Sequence, residues 1–364
     1  MKNIKNNEKI AFCITCMNRL NHLQQTLEKN ILDNYLMGQV EFVLLDYNSK
    51  DGLEEWVHNN MWKYIDEGIL VYYRTTESEH YLRSHSRNMA FRLANATILC
   101  NLDADNFLGK GFADFMLQEF SRYGNTFFTN NYSVRDTFGR FCVRTEDFIL
   151  IRGYNEALQG YGYEDADIFN RLRNKGLKQM FFDNPGFYHF VNHSYIDRIS
   201  EEPRAKNLYE MYISYINPYT SCILLLNKDH TTEQCTLVAN QQLNVLLEFS
   251  DIRDSQVDER NRIVIQGDIA KRTWSEDNDA VYIQENEVEH KLQKNLSPVT
   301  FNGLSFYKVQ KNETKAIVIE LTTDAINYKN ASNQIKNNSV INSDGFGKGY
   351  VYKNFNCSKK IVLS

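Results

Sequence analysis

The sequence lacks the marks of several protein classes. It contains no run of about 18 apolar residues, and residues 1–5 lack the apolar segment of a signal peptide. Its 41 basic residues are spread along the chain, and its net charge of -5 is mild. This pattern argues against nucleic acid or an anionic membrane as the main partner. We expect a soluble cytoplasmic protein that acts on small molecules.

The cysteines give no sign of a disulfide framework or a zinc site. They are seven in number and scattered, and Cys13, Cys100 and Cys142 lie within apolar runs. Cys13 and Cys16 have the spacing of a redox motif, but no second pair completes a zinc site. We interpret the cysteines as structural free thiols of a reducing compartment.

The 364 residues are enough for two domains, which we place at 1–228 and 229–364. Apolar runs at 10–15, 40–45, 69–73 and 98–106 predict strands, and helical spacing of apolar residues predicts helices between them. Continuous apolar strands that alternate with helices indicate a mostly parallel sheet covered on both faces. The first domain is therefore predicted to be α/β and Rossmann-like.

The rest of the chain is predicted to be less regular. Strands are expected at 126–129 and 148–151. The smaller C-terminal region is expected to be α+β or β-rich, without a chemistry-bearing group. Its predicted elements are a helix at 232–249, a linker at 251–262, strands that include 316–321, and an Asn-rich loop at 327–342.

Acidic side chains follow two of the predicted strands. Asp46 ends the second strand, and Asp103 and Asp105 end the fourth. Ligands bind at the carboxyl ends of strands in open α/β sheets, so these acids are expected at one edge. On an extended chain Asp103 and Asp105 would point the same way, as two metal ligands could. Such a pair can equally cap a turn.

A second acidic cluster follows a loop of glycines and tyrosines at 160–163. Asp165 and Asp167 would lie in the first turn of a helix, where the helix dipole alone favours negative charge. Further on, His189 and His193 are four residues apart, and ordinary hydrogen bonding explains them as well as metal ligation does.

Together these features resemble the inverting glycosyltransferases of the GT-A fold, of the family 2 type. The segment Gly160-Tyr-Gly-Tyr-Glu-Asp-Ala-Asp167 is similar to the acceptor loop of the β-1,4-galactosyltransferases. The likeness extends upstream to residues 15–19 and downstream to 192–194, and it covers about residues 8–210.

The resemblance implies roles for individual residues, and Mn²⁺ or Mg²⁺ as the cofactor. Asp105 and His193 would bind the cation, and Asp165 would be the general base. The other roles are donor binding by Asn18, Arg19, Asp46, Arg83, Arg87, Asn88 and Asp103, and acceptor binding by Tyr161, Gly162, Tyr163 and Glu164.

Three positions depart from the family pattern. Tyr161 replaces a tryptophan, Ala166 replaces a third acid, and Phe190 stands where vertebrate members have a thioether ligand. The acceptor is therefore open, as is whether water or His189 completes the metal shell. The expected absence of a Golgi anchor and luminal disulfides points to a bacterial cytoplasmic relative, at the inner face of the membrane if its acceptor is lipid-linked.

The resulting prediction is a metal-dependent inverting enzyme that moves a sugar from a UDP-sugar to a hydroxyl of a glycan or lipid-linked acceptor. The sugar is expected to be Gal or GalNAc, or else Glc or GlcNAc, in bacterial surface polysaccharide synthesis. Glycines 160 and 162 would let the loop close as a lid.

Two alternatives remain, and the oligomeric state is open. One is a carbohydrate-binding or assembly module with a vestigial nucleotide-sugar pocket. The other is a nucleotidyltransferase, which is less favoured because residues 15–19 contain no glycine for a phosphate loop.

Overall fold

The computed structural model describes residues 8–130, 137–243 and 263–364, and the chain forms two compact units. The first contains residues 1–159, 163–192 and 334–364, and the second contains 160–162 and 193–333. This division differs from the expected domains 1–228 and 229–364. Residues 193–228 belong to the second unit, and the end of the chain returns to the first.

The described strands alternate with helices in the first half of the chain and dominate the second half. The strands are β1 (Ile10–Cys16), β2 (Val40–Tyr47), β3 (Leu70–Thr75), β4 (Ile98–Asn101), β5 (Asn106–Phe107), β6 (Thr126–Thr129), β7 (Phe141–Arg144), β8 (Lys178–Phe181), β9 (His189–Phe190), β10 (Leu208–Asn217), β11 (Thr220–Asn227), β12 (Thr231–Val238), β13 (Val264–Glu276), β14 (Ala280–Glu285), β15 (Val288–Gln293), β16 (Val299–Phe301), β17 (Leu304–Lys308), β18 (Gly349–Lys353) and β19 (Lys360–Leu363). The helices are α1 (Leu20–Asn34), α2 (Leu53–Asp66), α3 (Arg83–Leu93), α4 (Phe112–Arg122), α5 (Thr145–Leu150), α6 (Glu164–Asn174), α7 (Tyr195–Ile199), α8 (Pro203–Asn207) and α9 (Asn312–Lys336).

The main sheet of the first unit has the order β19-β18-β3-β2-β1-β4-β7-β6-β8. Strands β3, β2, β1 and β4 are parallel to one another, whereas β7, β18 and β19 run antiparallel to their neighbours. All seven residues of β1 are buried, and they alternate between two hydrophobic cores, with Phe12 in one and Cys13 in the other. The predicted α/β sheet with both faces covered is confirmed.

The second unit is built on an antiparallel sheet with the order β15-β14-β13-β12-β11-β10-β17-β16. This sheet confirms the predicted β-rich C-terminal region. Helix α9 packs on it through Ala316, Ile317, Val318 and Ile319.

Several local predictions are wrong. Residues 148–151, expected as a strand, lie mostly in helix α5. Strand β12 occupies the first part of the helix expected at 232–249, and residues 244–249 of that prediction lie outside the described residues. Residues 316–321 lie within α9, and this helix runs on to Lys336 through much of the expected Asn-rich loop. A short apolar run fits a strand and a buried helix equally well, so its partners decide between them. The predicted linker at 251–262 lies outside the described residues.

Two further observations concern membranes and cysteines. No helix in the described parts of the chain is long and apolar enough to cross a bilayer. All seven cysteines are free thiols, and Cys13, Cys100 and Cys142 are buried as predicted.

Candidate active site

Asp46 is the last residue but one of β2, and it is fully buried beside the loop that follows the strand. One carboxylate oxygen accepts a 2.7 Å bond from the Ser49 amide, and the other accepts a 2.7 Å bond from the Tyr72 hydroxyl, with Arg74 Nε 3.6 Å away. Burial raises the pKa of Asp46, and the bonds from Ser49 and Tyr72 oppose that rise. In this arrangement Asp46 holds the loop at 46–51 in place.

Asn18 connects this loop to the end of β1. Its left-handed backbone (φ 56°) lets its amide donate to Ser49 Oγ at 3.1 Å while its side-chain oxygen accepts from the Lys50 amide at 2.6 Å. Arg19 follows it and immediately precedes α1. Hydrogen bonds therefore join the loops after β1 and β2 into one rim. Asn18, Arg19 and Asp46, which are predicted to bind the sugar-nucleotide donor, lie in or next to this rim.

Asp103 and Asp105 lie in a turn. Strand β4 ends at Asn101, and the Asn106 amide donates to the Asp103 carbonyl at 3.0 Å. The expectation that residues 103 and 105 continue the strand with parallel side chains is wrong, because the period of two applies only to extended backbone. The two carboxylates instead have different partners.

The Asp103 carboxylate belongs to a cluster centred on Arg87 in α3. Arg87 Nη2 lies 3.0 Å from Asp103 Oδ1, and Arg87 Nη1 lies 2.9 Å from Asp165 Oδ1 and 3.2 Å from Glu164 Oε1. One buried guanidinium thus holds three predicted site residues. Asp103 is predicted to bind the sugar donor, Asp165 to be the base, and Glu164 to bind the sugar acceptor. Charge-assisted hydrogen bonds from one rigid guanidinium fix the positions of these three carboxylates relative to one another.

Arg83 and Asn88 support this cluster from the same helix. Arg83 Nε lies 3.5 Å from Glu164 Oε1, one helical turn from Arg87. The fully buried Asn88 donates to the Tyr154 carbonyl and to Glu156, and it accepts from the Tyr154 amide. The side-chain amide of Asn88 therefore holds the loop at 154–156 in place. The sequence had predicted a contact between Asn88 and the sugar-nucleotide donor.

The cluster has two guanidinium groups and three carboxylates, so it carries an excess negative charge. Burial, together with the negative charges of Glu164 and Asp103, raises the pKa of Asp165 to about 7, although Arg87 opposes the rise. Its side chain is 13% exposed, so it is not fully enclosed. A carboxylate with a pKa near neutral pH is suited to general base catalysis.

Asp105 is held by a separate chain of contacts. Asn106 donates to Asp105 Oδ1 at 2.8 Å, and Asn106 in turn accepts from the buried Arg140 at 2.9 Å. Arg140 also donates to the carbonyls of Phe107 and Phe187, which fixes the paired strands β5 and β9. The Asp105 carbonyl accepts from the Val191 amide at 2.7 Å.

The predicted metal site stays a prediction. Asp105 offers the oxygen ligand that a hard divalent cation prefers, and its residue is partly exposed. His193 begins the second unit, and His189 is exposed in β9. Among the described residues, no three His, Cys, Asp or Glu side chains cluster as a metal site.

The loop at 160–163 is divided between the units at Tyr163. Within the second unit, a Cβ on Gly162 would lie 2.7 Å from Asp324 Cβ, and the Gly162 carbonyl accepts from Asn327 in α9 at 2.8 Å. Tyr161 lies under the Arg198 guanidinium, 5.3 Å away. Gly160 and Gly162 both have positive φ. Close packing on α9 therefore accounts for Gly162, whereas the sequence suggested a hinge.

Three contributors were missed by the sequence interpretation. A Cβ on Gly139 would lie 3.0 Å from Asp165 Oδ2 and 3.1 Å from both Arg87 Nη2 and Asp103 Oδ2. Asn101 donates to Asp103 and to the Gly139 carbonyl, and Arg140 supports Asn106. Their only sequence signal was the adjacent pair Gly139-Arg140, which no motif marks.

The fold and this cluster define an α/β protein with a carboxylate site at the carboxyl end of its sheet. Residues 125–194 match the family model for the N-terminal domain of galactosyltransferase. The match includes the loop at 160–163, Asp165 and His193. The predicted resemblance to the galactosyltransferases is confirmed over this segment.

Solved glycosyltransferase structures align with about half of this chain, which spans less than two thirds of the length of the first two. A mannosyltransferase from Pyrobaculum calidifontis, in complex with GDP-Man and Mn²⁺, is 16% identical with a TM-score of 0.41, over 49% of this chain and 56% of that one. TarS 1–349 from S. aureus is 14% identical with a TM-score of 0.43, over 50% and 60%. Drosophila β-1,4-galactosyltransferase 7, in complex with manganese, UDP-Gal and xylobiose, is 16% identical with a TM-score of 0.39, over 54% and 76%. The residue assignments therefore depend on the geometry above.

Proposed function

We propose that the protein is a divalent-metal-dependent inverting glycosyltransferase that uses a UDP-sugar. The observation that carries the proposal is the shared guanidinium of Arg87. It holds Asp165, a carboxylate with a pKa of about 7, together with Asp103 from the turn after β4. The family match over residues 125–194 supports the same reading.

Asp105, held by Asn106, would be the oxygen ligand of a Mn²⁺ or Mg²⁺ ion, and His193 would be its second ligand. When bound, this cation would supply positive charge that stabilises the diphosphate leaving group. A histidine in the set favours Mn²⁺ over Mg²⁺.

Asp165 accepts the proton of the acceptor hydroxyl as that oxygen attacks the anomeric carbon. Its ionised form is the active one, and Arg87 orients it. A single base that acts in line with the leaving group inverts the anomeric configuration. Asp167, two residues away, pairs with Arg171 at 2.8 Å and has no part in the step.

The rim formed by the loops after β1 and β2 is the proposed site of the donor nucleoside, with Asn18 and Arg19 beside Ser49 and Lys50. Gal or GalNAc is the proposed sugar, with Glc or GlcNAc as the other choice. The proposed acceptor is a glycan or lipid-linked sugar of a bacterial surface polysaccharide, on the cytoplasmic side of the membrane.

The test is a screen of UDP-sugars for Mn²⁺-dependent hydrolysis, since slow donor hydrolysis reports the donor without an acceptor. We expect one UDP-hexose to be hydrolysed with Mn²⁺ and not with chelator. NMR of the transfer product then reports the anomeric configuration, which we expect to be inverted. A protein that neither hydrolyses any UDP-sugar nor binds UDP with Mn²⁺ would contradict the proposal and favour the vestigial-pocket alternative.

A further inference from the structure

The end of the chain completes the main sheet. Strand β18 pairs antiparallel with β3, through Tyr352 opposite Arg74 and Lys353 opposite Tyr73, and β19 forms the outer edge. The turn between the two strands begins with Asn354 and Phe355, both in the left-handed backbone region at φ 46° and φ 64°. Neither residue belongs to the segment that matches the galactosyltransferase family model.

This turn contacts both the backbone and the ring of Tyr72 in β3. The Asn354 amide donates to the Tyr72 carbonyl at 2.8 Å, and the Asn354 side-chain oxygen accepts from the Tyr72 amide at 3.0 Å. The Phe355 ring stacks on the Tyr72 ring, with centroids 4.8 Å apart and an interplanar angle of 19°. His58 and Trp62 of α2 flank the other sides of Phe355.

The far end of Tyr72 reaches the donor rim. Its hydroxyl donates to the buried Asp46 carboxylate at 2.7 Å. The other Asp46 oxygen holds the Ser49 amide, and Ser49 Oγ accepts from the Asn18 amide. A continuous path of direct contacts therefore runs from Phe355 through Tyr72 and Asp46 to Asn18.

We infer that Asn354 and Phe355 are positioning residues that set nucleotide affinity through Tyr72 and Asp46. The inference rests on the proposed function, because it assigns the rim to the donor nucleoside. Displacement of the Tyr72 ring would move its hydroxyl from Asp46 and loosen the loop at 46–51. The turn between β18 and β19 thereby becomes part of the donor site.

The experiment is a double-mutant cycle on Phe355→Ala and Tyr72→Phe, read by calorimetric titration of UDP in the presence of Mn²⁺. Each single variant should weaken UDP binding by about three- to tenfold, as expected for loss of one aromatic pair or one hydrogen bond. In the Tyr72→Phe background, Phe355→Ala should weaken binding little further. The Phe355→Tyr variant, which keeps a ring to stack, should bind as the wild type does.

Two controls separate positioning from general stability. Val362→Ala changes a residue of β19 that is 70% exposed, and it should leave UDP affinity unchanged. Thermal unfolding of each variant shows that the titrated protein is folded. A purely structural role for Phe355 would lower the unfolding temperature and leave the affinity of the folded protein unchanged.

The outcomes separate this inference from the proposed function. If the wild type binds UDP and the Phe355→Ala variant binds it with the same affinity, the inference is overturned and the proposed function is unaffected. An effect of Phe355→Ala that is undiminished in the Tyr72→Phe background has the same consequence, because Phe355 would then act by another route. Absence of Mn²⁺-dependent UDP binding by the wild type overturns both.

Discussion

Replacement of Asp165 by Asn removes the proposed base and keeps its size. Arg87 retains Asp103 at 3.0 Å and Glu164 at 3.2 Å, and the cluster loses its excess negative charge, so we expect the variant to fold. A general base contributes typically about 10²- to 10⁴-fold to rate. We expect kcat/KM for sugar transfer to fall by about that factor in Asp165→Asn.

The pH dependence gives this prediction a second, independent reading. With a pKa of about 7, Asp165 is ionised above neutral pH. The kcat/KM of the wild type should therefore rise about tenfold per pH unit below pH 7 and level off above it. The limb should be absent from the residual activity of Asp165→Asn.

The free energy of unfolding should fall as the pH rises, whereas kcat/KM should increase. The pKa of Asp165 is higher in the folded protein than its ordinary value of 3.8, so the folded state binds this proton more tightly. Stability from this group is complete below about pH 4 and declines as pH rises to about 7. The difference between 3.8 and about 7 corresponds to at most about 4 kcal/mol.

The assays are release of UDP during transfer and denaturant unfolding at pH 5 and pH 8. Asp167→Asn is the matched control, since it alters the same turn of α6 and breaks only the pair with Arg171. We expect this control to keep kcat/KM within about threefold of the wild type, because loss of the buried pair with Arg171 lowers the free energy of unfolding instead. Retention of more than a tenth of the activity by Asp165→Asn, or an unchanged acidic limb in that variant, would refute the reasoning.

Four further variants test the parts of the site that surround Asp165. Gly139→Ala places a Cβ within 3.0–3.1 Å of Asp165, Arg87 and Asp103, and we expect about a 10²-fold fall in kcat with no loss of folding by circular dichroism; normal kcat would show that the cluster tolerates the displacement. Asp105→Ala should weaken Mn²⁺ binding, measured by titration, far more than Asp103→Ala, and equal effects would remove the division of roles. Asn106→Ala frees the Asp105 carboxylate from its 2.8 Å partner, so we expect weaker Mn²⁺ binding, by about tenfold, and unchanged affinity would show that Asp105 needs no support.

Particular elements show why some of the site could be predicted. The buried strands β1 and β2 were evident because continuous apolar runs bounded by polar loops reflect local backbone preference. The segment at 160–167 was recognisable because its residues are adjacent in the chain. The assignment of Asp103, Glu164 and Asp165 to one active site followed from that likeness, and the structure brings all three to Arg87.

Other features depend on contacts between residues far apart in the chain. The apolar run at 316–319 fits a strand and a buried helix equally well, and its packing on the second sheet favours the helix. Gly139 matters only because folding brings its α-carbon to three charged groups, and no local pattern records that proximity.

The sequence by itself determined the α/β class, the acidic residues at the strand ends and the loop that resembles an acceptor site, because short-range periodicity and adjacent residues carry that information. Only the tertiary structure decided that one guanidinium joins Asp103 to Asp165, that Asp103 and Asp105 diverge in a turn, and that Phe355 rests on Tyr72 behind Asp46. The physical reason is that charge pairing and ring stacking depend on distance in space. Residues 72 and 355 become neighbours only when β18 pairs with β3.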